Sequence, residues 1–311
     1  MKKAVFCLLL AFLLLFSCAA LGEEEAAAEV FVEDALVSNP LPIDFTGGYA
    51  PQAGGYQGET VYEDPTIRVS IEFKDAKAYA KGYNAGYWVV DIRIGDASQL
   101  RTAPAVSFES DNDDEIVNIA DRVNAVVAIN GDSYSYNNEG LIIRQGITYR
   151  DKQKGKRDML LIDEDGDFHV FHLPQKCELS DTVDGKKVIN AFYFGPILVE
   201  NGQALKKMPS FAHLDPEAYY ARIALCQVGH LHYKMILTTN KIGYETFGLP
   251  MPDFAKVCMD EGAQTAFNLD GGMSTSLYFN HQRVNAQKKV NFRLVPDIIY
   301  FASAWNGEGQ E

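Results

Sequence analysis

From Thr66 onward the chain is written in short apolar runs with a period of two, each closed by glycine, asparagine or acidic residues. IRVSIEF and YWVVDIRIG alternate in this way, which places their apolar side chains on one face of an extended strand. LIIRQGITYR, DMLLIDEDGDFHVFHL, VINAFYFGPILVENGQ and ARIALCQVGHLHYKMILTT read as strand pairs folded on glycine or acidic turns. Such a pattern excludes a helical bundle. It predicts an α+β fold: a strand-rich mixed sheet with a few helices, in a single domain of catalytic type.

Two segments carry a helical period instead. SDNDDEIVNIADRVN offers Ser110 or Asp111 as a cap and sets Ile116, Ile119 and Ala120 on one face. MPDFAKVCMDEG is the second, stopped by Gly262. Each leads into an apolar strand, AVVAI or AFNL, and each strand ends in a polar glycine turn, AIN-GDS or NLD-GGMSTS. The wholly apolar AVVAI predicts a central strand. Ligands favour strand ends at such turns, so the chemistry is expected there.

Residues 1–22, a basic tip, an apolar run and the small residues Ala20-Leu21-Gly22, predict a secretory signal peptide cut after Gly22. Leu15-Phe16-Ser17-Cys18 partly matches a lipoprotein box, so lipidation at Cys18 is the alternative, and a membrane is a partner only in that case. Residues 23–62, where proline and glycine recur without a period, read as a linker or N-terminal arm. The domain is expected over 63–305, with 306–311 as a tail.

The formal net charge of −14, more negative still once Lys2 and Lys3 leave with the signal, argues against nucleic acid as a partner. An anionic ligand requires locally focused arginines. Cys177, Cys226 and Cys258 remain in a mature chain, enough for one disulfide at most, so the fold must rest on its core.

Asp270, Gly271 and Gly272 combine a carboxylate with bare backbone, and Ser274, Thr275 and Ser276 add hydroxyls. The bland alternative is an Asx turn with solvated hydroxyls. Asn130, Gly131, Asp132 and Ser133 supply an amide, a carboxylate and a hydroxyl in the other turn. Their Gly-Asp-Ser also fits a class of serine hydrolases, but no histidine here has the required aspartate three residues before it. Arg144, Arg222 and Arg293 lie near turns and are candidate forks for phosphate or carboxylate. His230 and His232 could share a strand face, yet with no third ligand nearby they read as structural. Asp163 to Asp167, DEDGD, reads as a turn. No Walker loop, dinucleotide fingerprint or HExxH motif occurs, so no cofactor is required, although a divalent metal stays compatible with these residues.

AINGDSYSYNNEGLIIRQGITYRD, FYFGPILVENGQ, YYARIALCQVGHLHY, AFNLDGGMSTSLYFN and FRLVPDIIYF follow one another in an order that resembles the phosphodiester glycosidase family, that of the uncovering enzyme of lysosomal targeting. The resemblance covers roughly 65–303 and rests on the pairing of the Asn-Gly-Asp and Asn-Leu-Asp-Gly-Gly blocks. It implies a hydrolase that cleaves the sugar–phosphate bond of a sugar-1-phosphodiester, exported by a bacterium and acting on a cell-wall or exopolysaccharide component. It also implies site positions at Asn130, Gly131, Asp132, Arg222, Asp270, Gly271, Gly272, Ser274, Thr275, Arg293 and Asp297. Two departures stand out: Met273 occupies a usual glycine site, and Thr239-Asn240-Lys241 replaces an Asp-Gly-Arg turn.

These residues suggest that Arg222 and the N–H groups around Gly271 and Gly272 hold phosphate. Ser274 and Thr275 would bond phosphate or sugar oxygens, and Asp270 or Asp132 would be nucleophile or base. The distance between the two carboxylates would then set retention or inversion. The rival readings are a non-catalytic wall- or polysaccharide-binding module and a metal-dependent phosphodiesterase.

Overall fold

Alternating runs bury one face each, and the fold stacks those faces. In the computed structural model, residues 35–80, 85–152, 155–172, 179–209, 215–239, 248–286 and 292–308 are described. The leader, Cys18, Cys177, Asn240 and Lys241 lie outside the described residues.

A nine-stranded sheet runs from Tyr56–Gln57 at one edge through Ile67–Asp75, Gly86–Ile94, His232–Thr239, Ile223–Gly229 and Thr265–Asn268 to Gln203–Ala204 at the other. A five-stranded sheet has the order Gln282–Arg283, Leu277–Phe279, Ala125–Asn130, Asp297–Ala302, Leu100–Pro104. Ala125–Asn130 is the central strand and is buried along its whole length, as its apolar run requires. The third sheet, of six strands, contains Met159–Asp163, Lys186–Tyr193 and Gly140–Arg144. Where a mixed sheet was expected, three sheets share the strands. Every ladder among the described residues is antiparallel, and hairpins of a few residues join about half of the neighbouring strands.

The three sheets meet in one core, to which Val69, Ile92 and Phe267 come from the first, Val127, Ile129 and Ile299 from the second, and Leu160, Ile162 and Phe192 from the third. Helix α1, Ile116–Arg122, covers the outer face of the five-stranded sheet with Ile116, Ile119 and Ala120 against Ala128, Tyr278 and Ile298. Helix α2, Met251–Asp260, packs Phe254 and Val257 on Val199, Ala224 and Ala266 of the nine-stranded sheet. Gly262 closes α2 at φ +90, where a side chain would be strained.

Two local expectations need correction. The cap of α1 is Glu115, not Ser110 or Asp111: backbone hydrogen bonds between Asp114 and Val295 hold the chain extended until then. From residue 35 the stretch read as an arm is built into the fold, with Leu41 and Tyr62 in the core and Val61–Asp64 paired to Ile67–Asp75. Proline and glycine had erased its period without removing its apolar side chains. Cys226 and Cys258 are both buried free thiols.

Candidate active site

Both helix–strand units end at the same place. Asn130 fastens one turn to the other: its Nδ2 donates to the Asp270 carbonyl at 2.8 Å, and its Oδ1 accepts the Ser276 N–H at 3.1 Å. It is buried, so this candidate substrate ligand serves as a clamp between turns. Gly131 follows, its N–H on the Asp297 carbonyl at 3.0 Å; a Cβ there would lie 2.2 Å from Asp297 Oδ1, so the position admits only glycine.

Asp132 points away from solvent. Its Oδ1 accepts Arg144 Nη2 at 2.6 Å and its Oδ2 accepts the Tyr193 N–H at 2.8 Å, with both ionic side chains fully buried. Arg144 also donates to Asp297 Oδ2 through Nε and Nη2, at 3.3 and 3.2 Å, and to the carbonyls of Ile143 and Ala191. Its guanidinium lies 4.3 Å from the Phe192 ring centroid. Asp297 Oδ1 is buried with no partner among the described residues. One guanidinium thus faces two carboxylates in a dry setting. Burial pushes both carboxyls above the usual range, against the pull of Arg144, and Asp297 reaches about 7. Asp132 and Arg144, expected as a catalytic group and a substrate ligand, are therefore set by the core into a buried ionic cluster.

Ser133, the next residue, turns the chain outward in the left-handed region, φ +54. Its hydroxyl donates to Asp270 Oδ2 at 2.5 Å. Asp270 is partly exposed and stands where two lobes of one cleft join, cavities of about 280 and 290 Å3. Phe194, Asp270 and Arg293 line both lobes. The first lobe adds Tyr220, Arg222, Asn268, Gly271, Gly272 and Met273; the second adds Ser133, Tyr136, Asn137 and Arg157. Among the described residues Asp270 is the only acid lining either lobe. The two-carboxylate geometry expected from Asp132 and Asp270 does not form inside the cleft.

Gly271 packs against the backbone, a Cβ on it lying 2.5 Å from the Ala221 carbonyl. Gly272 donates its N–H to that same oxygen at 2.8 Å, so it is not available to phosphate, whereas no acceptor for the Gly271 N–H occurs among the described residues. Met273 sits in a short 3-10 turn, 55% exposed and without positive φ, which explains how this site accommodates a side chain. Ser274, Thr275 and Ser276 are buried and outside the cleft lining; the turn that presents Asp270 rotates these hydroxyls inward. They are not placed to meet substrate as expected.

Arg222 is spent on backbone. Its Nε donates to the Leu249 carbonyl at 3.1 Å and its Nη2 to those of Asp215 and Ala218 at 3.0 and 2.7 Å. Burial lowers it to about 10, which leaves it charged at neutral pH. It braces the wall of the first lobe. Arg293 is exposed, lines both lobes and makes no side-chain hydrogen bond among the described residues. Arg157 lies 5.0 Å from the Phe194 ring centroid in the second lobe. Asn268 is held by its Nδ2 on the Gly195 carbonyl at 2.8 Å, which leaves Oδ1 as a buried acceptor without a partner.

Sequence reasoning missed Arg157, Phe194 and Asn268 as site residues. Phe194 and Asn268 lie inside the motifs quoted above, but nothing local distinguishes Arg157 among its neighbouring lysines. His230 and His232 pair instead with Asp167 and Asp91, at 3.4 and 3.0 Å. A larger cavity of about 390 Å3, lined by Pro40, Ile43, Asp163 and Lys187 among others, contains no residue of either turn.

The family model described as phosphodiester glycosidase matches residues 123–302, more than half of the chain and the stretch that holds both turns. The catalytic domain of zebrafish N-acetylglucosamine-1-phosphodiester alpha-N-acetylglucosaminidase, auto-inhibited by its pro-peptide, has a similar fold: TM-score 0.61, 17% identity, 82% of this chain and 87% of that one. A hypothetical protein from Synechocystis superposes with TM-score 0.52 at 16% identity, over 79% of this chain and 64% of that one. In sequence, the SPbeta prophage-derived uncharacterized protein YomE of Bacillus subtilis (strain 168) is 26% identical over 184 residues, 57% of this chain. The match spans 28% of that protein's length.

Proposed function

Because this chain belongs to the phosphodiester glycosidase family, we propose that it hydrolyses the bond between an anomeric carbon and phosphate in a sugar-1-phosphodiester. The observation that carries the reading is Asp270, among the described residues a lone carboxylate at the junction of a cleft whose other charged lining residues are Arg157, Arg222 and Arg293. In a protein of net charge −14, that is a local reversal of sign suited to an anion.

The leaving group is already a phosphate, whose monoester ionises near pH 6, so departure needs little protonation and a single carboxylate suffices. Arg293 and Arg157, with the Gly271 N–H, hold the phosphate. The Ser133 hydroxyl occupies Asp270 Oδ2 and so directs Oδ1 toward the anomeric carbon, or toward the water that attacks it. Phe194 offers an aromatic face to the sugar, and Asn268 Oδ1 an acceptor. Water adds to the sugar carbon, the C–O bond to phosphate breaks, and a free sugar and a phosphomonoester result. Export through the 1–22 leader to the cell surface, toward a wall or exopolysaccharide substrate, completes the proposal.

The test is incubation with N-acetylglucosamine-1-phosphodiesters in oxygen-18 water. Label in the sugar and its loss with Asp270→Asn are expected. Label in the phosphate together with chelator sensitivity would make the protein a metal-dependent phosphodiesterase; tight binding without turnover would make it a binding module.

A further inference from the structure

Among the described residues eight large hydrophobic side chains are strongly exposed, and three of them, Tyr136, Tyr220 and Met273, line this cleft. Tyr136 (64% exposed) and Tyr220 (51% exposed) present amphipathic rings to the cleft, and they do not share a lobe. Tyr220 belongs to the first, Tyr136 to the second, with Asp270 between. Each ring is held. The Arg222 guanidinium lies 5.3 Å from the Tyr220 ring centroid, and the Tyr136 hydroxyl donates to Asp113 Oδ2 at 2.6 Å. A held aromatic with a free face is a platform for a sugar ring, apolar on its C–H side and polar at its edge.

Each lobe falls just below the roughly 300–1,000 Å3 of ligand sites, so neither alone takes more than a small group. A substrate with sugar on one side only would leave one platform unused. We infer that the cleft binds a poly(glycosyl phosphate) chain across both lobes and cuts it internally, with Tyr220 and Tyr136 each supporting a sugar on its side of the scissile phosphate. The charge agrees: Arg157 and Arg293 sit beside the junction, matching a phosphate between two sugars. The inference rests on the phosphodiester glycosidase reading and adds the length of the substrate and the mode of attack.

The probes are a polymer of N-acetylglucosamine joined by 1-phosphodiesters and its monomeric methyl phosphodiester. The wild type is expected to lower the polymer's mean size on gel filtration while few bonds are cut, with kcat/KM per bond at least tenfold above that for the monomer. Tyr136→Ala and Tyr220→Ala should each cost the polymer at least fivefold more than the monomer. Release of single sugars from the chain end, or equal losses on both probes, would overturn the inference while leaving the reaction in place. Calorimetric binding to Asp270→Asn separates the two readings. If neither probe is turned over by the wild type, the reaction fails; the platforms then stand only if the polymer binds at least tenfold tighter than the monomer and either tyrosine variant removes that advantage.

Discussion

Two carboxylate–arginine groups lie on either side of a single residue, Ser133, and behave as opposites. Asp132, Arg144 and Asp297 are sealed in the core, with Arg144 bonding both acids. Asp270, Arg157 and Arg293 face a cleft, and the carboxylate there is held by a serine rather than by a cation. Both are built from aspartate and arginine, two acids to one arginine in the first and one acid to two arginines in the second. The difference teaches that burial and partners, not residue type, separate scaffold from chemistry: charge locked in a dry cluster cannot follow a reaction, while charge beside water can.

The largest effect expected from this contrast comes from removing each arginine. Arg144→Ala leaves two buried carboxyls without their cation and should cost about 3–5 kcal/mol in urea unfolding, since breaking a buried pair strands its partner. Arg293→Ala should alter stability by no more than about 0.5 kcal/mol, as surface changes do. It should lower kcat/KM on a phosphodiester by roughly tenfold or more, about 1.4 kcal/mol. Similar stability losses in both variants would erase the distinction.

A smaller effect is expected at the residue between the groups. Ser133→Ala should reduce kcat about tenfold, near 1.4 kcal/mol, by releasing Asp270 Oδ2. Ser133→Gly should show the same kinetic loss while keeping or gaining up to about 1 kcal/mol of stability, because glycine adopts φ +54 without strain. A glycine variant of normal activity would show that the hydroxyl does nothing for Asp270.

The smallest effect is in pH dependence. Folding raises the Asp297 carboxyl from 3.8 to about 7. Between those values the native state holds a proton that the unfolded chain has released. The stabilisation is therefore complete below about 4 and is lost as pH rises through about 7. Asp297→Asn, which mimics the protonated form, should lose less Tm between pH 5 and pH 8 than the wild type does. Equal slopes would place the proton elsewhere in the cluster.

Much of this was legible along the chain. Local period gave the strands and both helices, and the glycine turns after AVVAI and AFNL marked the site. The roles inside those turns were not legible. Asp132 and Asp270 look alike in sequence, each beside glycine after an apolar strand. The hydroxyls of Ser274, Thr275 and Ser276 and the fork of Arg222 looked suited to phosphate, but a 3-10 turn buries the first and carbonyls from the loop before residue 222 and from Leu249 occupy the second.

By itself, then, the sequence determined the α+β class, the two helix–strand units and the two turns at which a carboxylate could act. Those properties follow from hydrophobic period and backbone freedom, which act over a few residues. Tertiary structure alone decided that Asp132 is scaffold and Asp270 faces the cleft. Arg144 comes from a following strand and Tyr193 from 61 residues further on, and only their arrival removes water from one carboxylate and leaves it to the other.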